Sequence, residues 1–205
     1  ASIEQIRGVA AMRCEPPAPT RTGPPAPDPA WAEALRLNQN SLALAREADD
    51  PCAAYRALTN LGWAQLCCGE RDAAAAHFHE AYKLAERSGH TRGVAVSLAN
   101  LGWIALYCED SARSTSLAKE SMRLCHLLGE REVLAECLEI LAIAAFNDGN
   151  ARRAVQLRSG AETLWEALQV VRPPTHLSAV IPIQAAEDMH GQLTEAAFQS
   201  AWRQG

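Results

Sequence analysis

The sequence of 205 residues predicts an all-α chain, a helical repeat array closed by a C-terminal helical cap. One observation is periodic: Leu58, Asn60, Leu61, Gly62 and Trp63 return 40 residues later as Leu98, Asn100, Leu101, Gly102 and Trp103, and in part again as Leu138, Leu141 and Ala142. The other is compositional. The chain is 48% hydrophobic but only 5% aromatic, and rich in alanine, which suits closely apposed helices better than a sheet. A unit of this length cannot bury its own apolar face, so successive copies must stack into a solenoid.

Taken in order, the opening stretch to Cys14 places Ile3, Ile6, Val9 and Met12 at a spacing of three, one face of a short helix. Residues 15–29 follow with seven prolines in fifteen positions, a composition that forbids helix and favours an extended linker. A helical pattern from Trp31 to Glu47 reads as half a repeat. It ends at Asp49, Asp50 and Pro51, where Asp50 can cap the next helix and Pro51 can take its first position.

Three helix pairs are then expected, at about 52–68 with 72–88, 92–108 with 111–128, and 132–147 with 151–168. Gly69, Gly89, Gly129 and Gly149 mark the turns, whereas Glu109 stands where the second pair would be expected to have a glycine. Small residues recur at matching places, and the register pairs Gly62, Gly102 and Ala142 with Ala74, Ser114 and Ala154 of the following helix. After 171–174 the periodicity lapses. A helix within 176–189 is expected to start late or kink at Pro182, and the last segment has a capping Thr194 with Phe198 and Trp202 on one face, a lid for the final repeat.

The net charge of −5 and the lack of a Lys or Arg cluster beyond Arg152 and Arg153 argue against direct nucleic-acid binding. No segment approaches the roughly 20 apolar residues of a bilayer span, and no secretory leader opens the chain, so no membrane partner is expected. The ends read as those of a piece of a longer protein. Seven cysteines without a C-x-x-C pair suit a reducing cytoplasmic setting.

Leu61, Gly62, Gly69, Ala74, Phe78 and Ala81 stand where the tetratricopeptide repeat carries its small and aromatic signature, so residues 30–170 resemble a tetratricopeptide array with lengthened helices. Gln65, Ala105 and Ala145 depart from it where a tyrosine is usual. The resemblance implies a right-handed α-α superhelix. The Asn-Leu-Gly-Trp repeats, followed by 159–168, by Arg172, Pro173 and Pro174, and by 198–205, are also similar to the C-terminal sensor region of large LuxR-type bacterial transcriptional regulators and related signalling ATPases. That likeness implies a module that senses a ligand or partner. No G-x-x-x-x-G-K-[ST] phosphate loop occurs in the chain.

In a tetratricopeptide register the first helix of each pair lines a concave groove, which makes Arg56, Asn60, Trp63, Asn100, Trp103, Tyr107, Glu139 and Ile143 the candidate binding residues. Two tryptophans one repeat apart would form an apolar strip with Asn60 and Asn100 as polar handles, suited to a peptide or to a small ligand with a flat apolar part. The competing expectation is that both indoles are packing between repeats. With one Arg against Glu136 and Glu139, an acidic peptide tail is disfavoured. His77 and His79 lie on different helix faces, Cys125, His126 and Cys137 lack a fourth ligand, and no nucleophile stands beside a base at recognisable spacing. No metal, cofactor or catalysis is therefore expected, and the partners foreseen are a protein, a peptide, a small-molecule effector or a second copy of the chain. A purely structural scaffold or dimerisation piece is the alternative.

Overall fold

The computed structural model describes residues 29–169 and 191–205. Among these residues there are eight helices and no strand: α1 (Pro29–Glu47), α2 (Pro51–Cys67), α3 (Arg71–Arg87), α4 (Thr91–Tyr107), α5 (Ser111–Leu128), α6 (Arg131–Asn147), α7 (Ala151–Leu168) and α8 (Glu195–Trp202). The helices pack neighbour to neighbour, and the chain is an α-α solenoid-like array. It divides into two compact units, Ala1–Ser97 and Leu98–Gly205, with the division inside α4. The short helix expected over 1–14, the Pro-rich linker to residue 28 and the helix expected within 176–189 lie outside the described residues.

The backbone carries the 40-residue period directly. Positive φ among the described residues falls at Asp49, Gly89, Gly129 and Gln169 after the second helix of each pair, and at Gly69, Glu109 and Gly149 between the two helices. Each series advances by 40. At six of these seven positions the next residue donates its N–H five residues back: Asp50 to Ala45, Glu70 to Gln65, His90 to Ala85, Asp110 to Ala105, Glu130 to Cys125 and Asn150 to Ala145, at 2.8 to 3.0 Å. This is the Schellman closure, in which a left-handed residue turns the chain and satisfies the last carbonyls. The same residues then open the next helix. Asp50 accepts from the N–H groups of Cys52 and Ala53, Asp110 from Arg113 and Asn150 from Arg153.

In the first unit α1 rests on α2 through Leu42 and Ala45 against Tyr55, Leu58 and Leu61. Arg46 reaches from α1 to Glu80 of α3 at 2.5 Å. Tyr55 donates to the carbonyl of Gly93 in α4 at 3.2 Å and meets the His90 ring edge-on. The tightest fit involves Gly62. Its open side is filled first by the fully buried ring of Phe78, one turn beyond Ala74 on α3, and a Cβ there would collide with that ring.

In the second unit α5 packs on α6 and α6 on α7. Gly102 sits beside Ile140 and the Ser114 carbonyl, and a Cβ there would lie at an ordinary 3.5 to 3.7 Å. α8 closes on α7: Thr194 caps it, Ala201 joins Ala154 and Val155 in a buried cluster, and Phe198 and Trp202 stack with centroids 5.7 Å apart. Ser159 fixes its end by donating to the Trp202 carbonyl at 2.7 Å. No described helix is long and apolar enough to cross a membrane.

Candidate functional site

The eight groove candidates separate by environment. In the first unit Arg56 and Asn60 are exposed on α2, one turn apart. Trp63, on the same helix, is buried: Gly62 admits Phe78, whose ring meets the indole edge-on at 5.5 Å and 68°. In the second unit Asn100 and Trp103 retain only 2% and 1% of their accessible surface, Glu139 is buried, and Tyr107 and Ile143 are half-buried.

The expected solvent-facing tryptophan strip is therefore corrected. Both indoles are interior, because a small residue precedes each of them and lets neighbouring helices close over the ring. Ile143 is likewise not a free groove residue, since it packs against the cluster that receives α8. Glu139 is turned to an internal partner: its carboxylate accepts from the indole N–H of Trp165 on α7 at 3.0 Å. Trp165 escaped the motif reading, although a signal was present. At the equivalent places the earlier repeats have Thr59 with Ala85 and Ala99 with Cys125, so the carboxylate and the indole enter the third repeat together.

The second unit also holds polar atoms that its own packing does not satisfy. Asn100 Nδ2, Trp103 Nε1 and Ser114 Oγ are all buried without a hydrogen-bond partner. Asn100 and Trp103 lie three residues apart on α4, so their donors share a face. In the first unit Gln65 meets His77 at 2.6 Å across α2 and α3, while Ser97 Oγ at its end is buried without a hydrogen-bond partner.

Thiol chemistry is damped. Burial raises the Cys67 thiol above its ordinary range, and burial also raises Cys68, helped by nearby Glu70, so the vicinal pair is not activated. Cys137 is pushed up to about 12 by burial, against a smaller opposing effect of its hydrogen bond with Ser121. Cys108 is disulfide-bonded, while the other described cysteines are thiols. Among the described residues no group of three or more His, Cys, Asp or Glu is placed to hold a metal ion.

Fold and site together define a helical repeat array with a buried, partly unsatisfied polar face on α4. No family model matches the chain, and no match was found among curated proteins.

Proposed function

We propose that this chain is a non-catalytic binding module that takes a small-molecule effector, or a peptide or protein group of the same chemistry, at the α4 face of its second unit. The observation that supports it most is the pair of orphan donors, Asn100 Nδ2 and Trp103 Nε1. A buried N–H without an acceptor costs roughly 1–3 kcal/mol, a cost that a ligand carrying carbonyl or carboxylate oxygens would remove. The indole beside those donors suits a ligand with a flat apolar part. Access would require local opening around α4.

The likeness to tetratricopeptide arrays and to the sensor regions of LuxR-type regulators supports placing such a module in a larger cytoplasmic bacterial regulator. There, binding would bias an attached switch through its differential affinity for two states. The test is a thermal-shift screen of a small-molecule library against the wild type and against Asn100→Leu/Trp103→Phe. That double variant removes both donors and keeps both positions apolar, with the smaller ring at position 103 leaving some volume unfilled. Compounds at about 100 times their Kd should stabilise the wild type by about 2.7 kcal/mol and leave the variant unmoved. If every stabilising compound acts equally on both, the assignment fails.

A scaffold or dimerisation role is favoured by one observation, the 72% and 44% exposure of Leu127 and Leu128 at the end of α5. Light scattering decides it. A mass that doubles with concentration and reverts in Leu127→Lys/Leu128→Lys would establish self-association through that end.

A further inference from the structure

The contact between α5 and α6 holds two cysteines where the earlier repeats hold small residues. Cys125 and Cys137 retain 1% and 0% of their accessible surface. One period back the same pair of positions carries Ala85 and Ser97, and two periods back Ala45 and Ala57, all four buried. Ala45 and Ala57 belong to one packed cluster, so these are the positions at which the second helix of a pair closes on the first helix of the next. Both sulfurs also converge on one side chain. Ser121 Oγ, itself buried, lies 3.8 Å from Cys125 Sγ, and the same hydroxyl is hydrogen-bonded to the Cys137 thiol. The two cysteines thus enter the array together, facing each other across one helix contact.

We propose that Cys125 and Cys137 form a reversible dithiol site, which a small-molecule disulfide such as oxidised glutathione closes into a cross-link between α5 and α6. Helix axes about 8–10 Å apart, with Cα atoms on a radius of about 2.3 Å, put facing Cα atoms about 4–6 Å apart. A disulfide spans about 4.4–6.8 Å between Cα atoms, so closure asks for rotation of the two side chains and little movement of the helices. The exchange balances. One cysteine sulfur gives up its proton, attacks the small disulfide and releases one small thiol; the second sulfur gives up its proton and displaces the other. Two protein thiols and one small disulfide become one protein disulfide and two small thiols. Burial penalises the thiolate that starts this exchange but not the uncharged cross-link that ends it. The site therefore reacts slowly, through opening of the α5 and α6 contact, while its oxidised form suits the apolar interior. Closure pins the two helices to each other across their turn at Gly129.

The experiment equilibrates the full chain in glutathione buffers of increasing oxidised fraction, in native buffer and in urea, until the linked fraction stops changing. Remaining thiols are then blocked and the chain is cut by trypsin without reduction. Cleavage at Arg123, Arg131 and Arg152 leaves Cys125 in 124–131 and Cys137 in 132–152, so the joined peptide pair reports this cross-link alone. The native chain should favour the link at least about tenfold more than the unfolded chain, because the folded contact supplies a higher effective concentration than a short flexible loop. By linkage the same factor stabilises the fold, so the unfolding midpoint of the oxidised wild type should rise and should fall back on reduction. Cys137→Ala, which gives that position the alanine found at position 57, should show neither the joined peptides nor the shift. A smaller native preference overturns the proposal, as does the absence of the link at every glutathione ratio. Native chains in which Cys125 or Cys137 pairs mainly with another cysteine overturn it as well.

Discussion

Adding a single methyl group at Gly62 should have the opposite sign from the same change at Gly102, although both glycines occupy the same place in their repeats. Alanine in a helix interior gains about 1 kcal/mol over glycine. At Gly102 the new Cβ meets Ile140 Cδ1 at 3.5 Å, an ordinary contact, so most of that gain should be realised. At Gly62 the Cβ would stand 2.7 Å from Phe78 Cδ1 and 2.8 Å from Cζ, well inside contact distance. The ring cannot retreat, for it is fully buried and its other side meets Trp63. Overpacking of a tight core costs about 1–3 kcal/mol, and a blocked rigid ring belongs at the upper end. After the propensity gain, Gly62→Ala should lose about 2 kcal/mol while Gly102→Ala gains up to about 1. Thermal unfolding followed by circular dichroism should separate the two variants by roughly 6–12 °C, from about 2–4 °C per kcal/mol for a chain of this size. Phe78→Leu should restore part of the loss in the Gly62→Ala background. Equal midpoints for the two alanine variants would refute the assignment of Phe78 to the open side of Gly62.

The other expected outcomes concern single positions. Glu109 holds φ at +57°, where its repeat equivalents are Gly69 and Gly149, so Glu109→Gly should raise stability by about 1 kcal/mol, read as a higher unfolding midpoint. Removing the acceptor at Glu139 leaves the buried Trp165 indole without this bond: Glu139→Ala should cost about 1–3 kcal/mol in denaturant titration, and Glu139→Gln, which keeps a carbonyl oxygen, distinctly less. The Cys137 thiol, pushed up to about 12 from an ordinary value of 9.0, keeps its proton in the folded state over a range where the unfolded chain releases it. Its contribution is therefore complete below about pH 9 and declines as pH rises towards 12, so wild type should lose more stability across that window than Cys137→Ala. For the same reason native protein at pH 8 should leave Cys137 unlabelled by a thiol reagent while exposed Cys52 reacts.

Most of the fold was legible because its determinants are local. The turns need a residue that tolerates left-handed backbone, and glycine announced four of the seven such positions. Asp49, Glu109 and Gln169 were less visible, since an acidic or amide side chain at a helix end reads as polar surface. Capping was equally plain at Asp50, Asp110 and Asn150, where the side chain acts on an amide two or three residues away. The partner of Gly62 was not legible in the same way. Periodicity places Ala74 and Phe78 on one face of α3, and which of them fills the gap depends on the crossing of two helices.

The groove residues show a different limit. A register derived from repeats assigns the same face to Asn60 and Asn100, yet one is exposed and the other retains 2% of its surface. Identical residues at equivalent positions thus meet unlike surroundings, because each helix is covered by neighbours whose sequences have diverged. Where two positions diverged together, as Glu139 and Trp165 did, the new polar atoms are paired and the change is neutral for packing. Asn100 and Trp103 lack that compensation on α4, although an asparagine buried without its partner is among the costlier choices for a helix interior. Leucine at position 100 would be cheaper for stability alone. A binding role would give these two donors an acceptor. The Asn100→Leu/Trp103→Phe variant consequently tests function apart from stability: if the donors serve binding, it should be unresponsive to ligand, while its stability balances the apolar gain at position 100 against the volume lost at position 103.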